Sequence, residues 1–263
     1  MSGQRAKTFK IRPTVWRGAV SLLAAAVLWE VLARYVVKST LFFAPLSAVF
    51  VSMVKMWEAG TLQEDIFVSL QTFVVGFVLG SIVAILVGVI MASSEVLRDF
   101  IDPWISAMYA TPFIALAPLF TLWFGIGLTA HAAVVFIVVF FPVLINTFAG
   151  LTTTDPVLVE VIRSFNASER QVFLKVRFPS ALPFVIAGLR LGVARGLVGV
   201  VVAEMFGSNA GIGFRILVSG QAFDTAALFV GILILAVAGV VGVELIKVLE
   251  RKAAPWRFQD QSK

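Results

Sequence analysis

The chain has 263 residues, of which 60% are hydrophobic and only 14% are charged, and its mean hydropathy is +0.99. Soluble domains are about half apolar and about a quarter charged, so this composition excludes a soluble globular protein. The lack of cysteine excludes disulfides and thiolate metal sites, and the single histidine excludes a histidine-rich metal site. The net charge of +6 is better explained by basic residues that orient membrane spans than by binding of nucleic acid.

Six apolar stretches are long enough to cross a bilayer as helices, which takes about 20 residues each. Helices are expected there because lipid offers no partners to backbone N–H and C=O groups. The stretches lie at 16–36, 66–92, 103–124, 130–150, 181–203 and 226–248. The chain is therefore predicted to be an all-α polytopic membrane protein, with one transmembrane domain over 16–250 between a basic tail (1–15) and a C-terminal tail (251–263).

The basic residues predict the orientation of these spans. If the N-terminus is cytoplasmic, 15 of the 21 lysines and arginines fall on the cytoplasmic side, four fall outside and two lie in the fifth span. This asymmetry obeys the positive-inside rule, so both termini are expected in the cytoplasm. The first stretch lacks a small-residue cleavage site and is interpreted as a retained span rather than a signal peptide.

The first span and the segment after it carry local signals. Glu30 has two alternative partners, Arg195 of the fifth span and, more simply, Arg34 in an i,i+4 ion pair near the outer interface. Residues 43–57 are amphipathic but too short to cross the membrane, so they are predicted to lie along the outer interface.

The next three spans contain few informative residues. Gly76 and Gly80 are spaced for close packing of the second span on a neighbour. Pro112 and Pro118 are expected to kink the third span. His131 is interpreted as a polar residue at the outer end of the fourth span.

One polar segment, Thr152–Pro183, separates the fourth and fifth spans and is predicted to be cytoplasmic. It holds seven of the 36 charged residues: Asp155, Glu160, Arg163, Glu169, Arg170, Lys175 and Arg177. Asp155 followed by Pro156 is a helix-start signal, an N-cap and then proline at the first helical position. Asn166 is expected to end that helix, because asparagine tolerates the left-handed conformation next best after glycine.

A second short helix is predicted to follow this turn. Ser168 with Gln171 three residues later matches a capping box. Pro179 and Pro183 are expected to stop this helix and to mark the start of the fifth span. The first helix should present an apolar face made of Val157, Leu158, Val161, Ile162 and Phe165.

The fifth span combines small residues with an arginine. Gly188, Gly192 and Gly196 recur every four residues, which favours either static helix packing or a smooth surface that slides during transport. Arg195 lies deep in the membrane, where arginine is costly. It is expected to pair with Glu30, to line a pathway for an anion, or to reach an interface if the span boundaries differ.

The residue at the outer end of the fifth span, Glu204, has two alternative roles. Glu204 could contact an external partner or hold the following loop, which contains Gly211 and Gly213. The segment 206–224 is predicted to be a partly re-entrant loop, and Arg190 is close enough to the inner end of the span to reach the interface.

The spacing within the polar segment resembles the EAA loop of ABC importer permeases, whose pattern is E-A-A-x3-G-x9-I-x-L-P. Glu160, Val161 and Ile162 stand at the first three positions, Asn166 at the glycine and Pro179 at the final proline. The spacing is intact, whereas both alanines and the glycine are replaced. Asparagine in place of glycine preserves the turn chemistry, because both residues accept a positive φ.

Further segments over residues 40–250 are similar to the permeases for nitrate, sulfonate, taurine and related solutes, in order and with matching spacing. These segments are Ser69-Leu70, Gly76-Phe77, residues 112–127, Phe141-Pro142, Ile145–Thr147, Gly188–Arg190, Ala203–Met205 and Gly211–Gly213. One departure is Thr72, where many relatives have arginine.

The resemblance implies a permease of the type I importer fold, with about six transmembrane helices and a cytoplasmic coupling loop at 152–180. It implies a bacterial inner-membrane subunit that is not itself an enzyme and binds no cofactor. ATP and Mg would be bound by partner ATPase subunits, a periplasmic or lipid-anchored binding protein would deliver the solute, and a second permease copy would complete a homodimer. Membrane lipid is a further expected partner, and no nucleic-acid partner is expected.

The resemblance also assigns residues to roles. Contact with the ATPase is expected from Glu160, Val161, Ile162, Arg163, Asn166, Ala167, Ser168, Gln171 and Pro179. The candidates for the solute pathway are Arg195, Glu204, Gly188, Gly192 and Gly196. The solute is expected to be small and anionic, of the sulfonate, taurine, nitrate or aromatic acid class.

Two other functional classes remain as alternatives. A stand-alone secondary transporter or channel for a small anion would require paired intramembrane charges or inverted repeats, and only Arg195 and Glu30 are candidates for such a pair. A membrane-embedded enzyme would require a cluster of acidic or histidine side chains near the midplane, and the chain shows none. It also contains no P-loop, so ATP chemistry must come from a partner.

Overall fold

The computed structural model describes residues 13–253, and this part of the chain is helical with no strands. Residues 1–12 of the predicted basic tail and 254–263 of the predicted C-terminal tail lie outside the described residues. The helices are α1 (Pro13–Val31, extended by a π-helical turn at Leu32–Val37), α2 (Leu46–Glu58), α3 (Thr61–Ser93), α4 (Glu95–Tyr109), α5 (Ala117–Phe124, after a 3-10 turn at Phe113–Leu116), α6 (Leu128–Thr152), α7 (Pro156–Ser164), α8 (Glu169–Val172, extended by a π-helical turn at Phe173–Arg177), α9 (Phe178–Met205), α10 (Ile212–Gln221) and α11 (Thr225–Ala253).

Five of the described segments are long and apolar enough to cross a membrane, and a bent pair of helices would make a sixth. Each of the six predicted stretches coincides with one of these segments. The predicted fold class, an all-α polytopic membrane protein, is therefore confirmed.

The third predicted span, 103–124, is a broken helix pair rather than a kinked single helix. Helix α4 begins earlier, at Glu95, and the α4–α5 pair is bent by 77° at the break that contains Pro112. Pro118 lies in the first turn of α5 and starts that helix instead of kinking it. The first turn accepts proline because its N–H groups have no partners within the helix.

The core of the protomer is built from α3, α6 and α9, with α6 in contact with both of the others. Glycines permit this close approach. A Cβ atom on Gly76 would lie 2.5 Å from Cβ of Val135 and 2.7 Å from the carbonyl oxygen of Ala132, both on α6. A Cβ on Gly188 of α9 would lie 2.9 Å from Cβ of Asn146, which is also on α6. The predicted role of Gly76 in close packing is confirmed.

Helix α1 has few contacts with the rest of the protomer, mainly with α2. Glu30 accepts a hydrogen bond from Nε of Arg34 at 2.6 Å and another from the backbone N–H of Ser47 at 3.1 Å. The predicted Glu30–Arg34 ion pair is confirmed. These bonds tie the end of α1 to the start of α2.

Gly76→Ala is expected to destabilise the protein by about 1–3 kcal/mol, because the added methyl would overlap a neighbouring Cβ atom and a backbone oxygen that cannot move aside. The measurement is the thermal midpoint of unfolding of the detergent-solubilised protein. Gly18→Ala is the matched control, since a Cβ there would meet nothing within 4 Å. Equal midpoints for the two variants would contradict this account of the α3–α6 contact.

Candidate coupling and pathway sites

The polar segment between the fourth and fifth spans forms a helical hairpin, here called the coupling hairpin (residues 152–180). The Asp155 side chain caps α7 by accepting a hydrogen bond from the N–H of Val157 at 2.9 Å. Asn166 follows α7 with φ of +59°, in the left-handed region. The predicted start and stop of this helix are both confirmed, and they are set by local side-chain and backbone chemistry.

The start of α8 is also capped as predicted. The Ser168 backbone N–H donates to Oε1 of Gln171 at 2.8 Å, and the Gln171 N–H donates to Oγ of Ser168 at 3.4 Å. This reciprocal pair is a complete capping box. Across the turn, Nη2 of Arg163 donates to Oε1 of Glu169 at 2.7 Å and joins the two helices of the hairpin.

The predicted stop at Pro179 and Pro183 is wrong. The chain runs as continuous helix from Glu169 to Met205, and the π-helical turn at Phe173–Arg177 immediately precedes Pro179. In this turn the N–H of Phe178 bonds to the carbonyl of Phe173, five residues back. A wider turn before a proline accommodates its ring and its missing N–H without ending the helix.

The apolar face of α7 points away from the protomer. Val159 is the buried residue of this helix, whereas Phe165 after it is 81% exposed and Leu158 is 50% exposed. Val157 and Val161 are exposed as well. The predicted apolar face therefore exists but does not cover the protein's own core. Because α7 lies outside the candidate membrane spans, this face is suited to a protein partner rather than to lipid acyl chains.

The predicted coupling residues all lie on this one hairpin. Those exposed are Glu160, Val161, Arg163, Asn166, Ser168 and Gln171, and those partly buried are Ile162, Ala167 and Pro179. Behind α7 a groove of about 530 Å³ separates the hairpin from the turn between α3 and α4, with Arg98, Arg163 and Arg177 among its lining residues.

Arg195 lies on the face of α9 that the protomer leaves uncovered. It is about 15 Å from Met205 at 1.5 Å per residue, well within the apolar span. Leu191 and Val198, one turn to either side, are each about half exposed, and Arg195 is exposed between them. Within residues 13–253 its guanidinium makes no hydrogen bond or ion pair. The expected alternative pairing of Arg195 with Glu30 is wrong, because Glu30 is held by Arg34 and Ser47.

The glycines proposed for the pathway are packed against neighbouring helices. Gly188, Gly192 and Gly196 are buried, and their added Cβ atoms would approach residues of α6 and, for the latter two, phenylalanines of α3. Their placement on the solute pathway is therefore corrected: in this structure they are helix-packing residues.

Glu204 likewise holds a loop instead of lining a cavity. It is fully buried, and its Oε2 accepts hydrogen bonds from the Gly213 N–H at 2.8 Å and from Oγ of Ser69 at 2.9 Å. Ser69 in turn accepts from the N–H of Ile212 at 2.8 Å, and Asp65 accepts from the N–H of Gly211 at 2.8 Å. Side chains of α3 and α9 thus bind three backbone donors at the start of α10, which removes Glu204 from the pathway candidates.

Two polar residues have surroundings that were not predicted. Arg190 bonds through Nη2 to Glu250, a buried residue near the end of α11. His131 lies in the first turn of α6, as expected of a residue at the end of the span, but it is only 2% exposed. Neither environment has a local sequence signal, since the partners come from distant parts of the chain. The described residues contain no group of three His, Asp or Glu placed to hold a metal ion.

A model of a protein family, described as "Binding-protein-dependent transport system inner membrane component", matches residues 76–255. Three bacterial relatives align along most of their length. A Bacillus subtilis protein named for aliphatic sulfonates transport (permease SsuC) is 32% identical over 92% of this chain and 88% of its own. The formylaminopyrimidine transport permease ThiX of Halalkalibacterium halodurans is 32% identical over 89% and 93%, and the taurine transport system permease TauC of Escherichia coli is 28% identical over 92% and 90%.

Solved structures show the same fold. A chain of an amino acid ABC transporter superposes with a TM-score of 0.59 at 19% identity, over 77% of this chain and 98% of the other. A chain of the MetNI methionine ABC transporter in an inward-facing conformation gives a TM-score of 0.58 at 20% identity, over 73% and 96%.

Substitutions at Asn166 test whether the left-handed turn sets the shape of the coupling hairpin. Asn166→Gly is expected to leave the hairpin intact, whereas Asn166→Val should destabilise it by about 1–2 kcal/mol, because a β-branched residue resists a positive φ. The measurement is amide hydrogen exchange over 156–172. If the valine variant exchanges as slowly as the glycine variant, the turn does not need this conformation.

Proposed function

The chain belongs to the family of binding-protein-dependent transport system inner membrane components, and from this premise we propose that its coupling hairpin docks on a separate ATPase subunit of an ATP-driven importer. The chain is the permease subunit of an ABC transporter. Its own role is to form the solute pathway, while ATP and Mg are bound by the partner ATPase.

The observation that carries this proposal is the exposed apolar face of α7 on a rigidly capped hairpin. Phe165 and Leu158 project from a segment fixed by the Asp155 cap and by the Ser168–Gln171 capping box. An apolar face outside the membrane is unfavourable in water, so a protein surface is expected to cover it. Three charged residues surround this face: Glu160, Arg163 and Arg170. A partner surface with complementary charges would therefore fit it.

The continuity of α8 with α9 supports a mechanism for coupling. A movement of the hairpin would be carried along one helix from Glu169 to Met205, and this helix bears Arg195 on its uncovered face. The π-helical turn at Phe173–Arg177 keeps this helix continuous, with Phe178 N–H bonded to the carbonyl of Phe173. Closure of the ATPase subunits would thus alter the exposure of the pathway, as alternating access requires.

The uncovered face of α9 supports a second permease copy as partner. Lipid cannot solvate Arg195 at this depth, so this face is expected to border a water-filled pathway between two protomers. A homodimer places the same face on both sides of such a pathway. The binding protein would dock at the opposite end from the coupling hairpin. We place the protein in the bacterial inner membrane with both termini and the hairpin in the cytoplasm, following the positive-inside rule.

The solute is proposed to be small and anionic. Arg195 supplies a positive charge on the pathway face, and two relatives are named for the transport of sulfonates and of taurine, both of which carry a sulfonate group. A stand-alone transporter is disfavoured, because the pair expected to serve it, Arg195 with Glu30, is absent: Glu30 is paired with Arg34.

Glu160→Arg is expected to abolish association with the ATPase subunit and solute uptake, while membrane insertion stays intact. The reversal places a positive charge beside Arg163 on the docking surface. This charge would repel the groups of the ATPase subunit that are expected to complement Glu160. The measurement is co-purification of the ATPase subunit with the permease. The control is Glu58→Arg, which reverses the charge of an exposed acidic residue at the end of α2, outside the coupling hairpin. Normal co-purification and uptake by Glu160→Arg would contradict the docking role.

A further inference from the structure

Arg195 and the α4–α5 break together line a cavity of about 420 Å³. The break contributes the segment from Tyr109 to Ile114, and α6 and α9 supply the opposite wall. Helix breaks in transporters often border solute sites, because the interrupted backbone and the end of each helix need polar surroundings. This cavity is separate from the groove behind the coupling hairpin.

Two donors in this cavity have no partner within the described part of the chain. The Arg195 guanidinium makes no ion pair there, and the Tyr109 hydroxyl makes no hydrogen bond. A guanidinium can donate two parallel hydrogen bonds to a carboxylate or sulfonate group. A nearby phenol can donate one more. The pair is therefore suited to the oxygen atoms of an anionic group.

The rest of the wall is aromatic and apolar. Phe113 stacks on Phe141 with ring centroids 5.1 Å apart, and Tyr109 packs against the same ring with centroids 6.2 Å apart. Among the described residues, no acidic side chain lines the cavity. A solute with an apolar body fits this wall, whereas an ammonium group would find no carboxylate and would be repelled by Arg195.

We infer that Arg195, Tyr109 and the Phe113–Phe141 wall form a solute-recognition pocket within the permease, which binds the oxyanion group of an organic monoanion and rejects zwitterions. This inference rests on the proposed role in solute transport, and it assigns selectivity to the permease itself in addition to any selectivity of a binding protein. Arg195 orients the anionic group, and the aromatic wall holds the apolar body. Inorganic nitrate would gain only the first of these contacts.

The test uses the complete permease–ATPase complex in lipid nanodiscs, without a binding protein, so that selectivity belongs to the permease. Binding of benzenesulfonate, taurine and nitrate is measured by calorimetry. Benzenesulfonate is expected to bind at least about tenfold more tightly than taurine or nitrate, because only benzenesulfonate satisfies both the cation and the aromatic wall. Equal affinity for taurine, or no binding of any probe to the wild-type complex, would overturn the inference.

Variants locate the pocket in the same assay. Arg195→Gln should weaken benzenesulfonate binding by about tenfold or more, because a charged donor pair is lost. Arg195→Lys should retain part of the affinity, and Tyr109→Phe should lose a smaller part. Arg251→Gln, an exposed arginine on α11, is the matched control. Wild-type binding by Arg195→Gln would overturn the inference.

The two proposals can fail separately. ATP hydrolysis by the Arg195 variants reports whether the complex is assembled, and Arg195→Lys covers the case in which Arg195→Gln does not fold. If Glu160→Arg keeps its ATPase partner while binding still depends on Arg195, the coupling proposal fails and the pocket stands. If Glu160→Arg loses its partner and Arg195→Gln binds benzenesulfonate normally, the pocket fails alone.

Discussion

Close contact between the backbones of α3, α6 and α9 is the constraint on which the arrangement of this permease depends. Glycines such as Gly76 and Gly188 bring the helices so near that a methyl group would overlap the neighbouring helix. One face of α9 is therefore committed to packing on α6. The adjoining face, which bears Leu191, Arg195 and Val198, is left without a cover in the protomer.

The same helix links the two functional regions. Local capping fixes the coupling hairpin, and a π-helical turn carries the chain past Pro179 without a break. A partner that moves the hairpin therefore moves α9, rather than bending a flexible loop. At the far end, the buried carboxylates Asp65 and Glu204 hold the start of α10 through its backbone N–H groups. The outer loop is thereby fixed to α3 and α9, so movement of these helices would also reach the outer face.

Sequence reasoning predicted those features that depend on neighbours in the chain. The Asp155 cap and the Ser168–Gln171 capping box follow from contacts two or three residues apart, and the positive φ of Asn166 follows from its own side chain. The helix stop at Pro179 was predicted wrongly, because proline is compatible with a helix when the preceding turn widens. The apolar face of α7 was identified, but periodicity alone does not tell whether such a face covers the protein's own core or awaits a partner.

Long-range contacts were beyond sequence reasoning for a physical reason. The Arg190–Glu250 pair joins residues 60 positions apart, and the bond of Ser69 to Glu204 spans 135 positions. Several carboxylates were available to each arginine, and only the packing of the helices selects among them. The pairing of Arg195 with Glu30 was excluded by a local contact instead, because Arg34 and Ser47 already bond to Glu30.

The central claim, that the coupling hairpin docks on an ATPase subunit, can be tested most directly by cross-linking. The chain has no cysteine, so Phe165→Cys introduces a single thiol at a position that is 81% exposed. With a thiol-to-amine cross-linker of short reach, this variant should form a covalent product with the ATPase subunit in native membranes. Phe223→Cys, exposed beyond α10, should form none. A hairpin thiol that yields no ATPase product, or no more than the Phe223 variant does, would contradict the account.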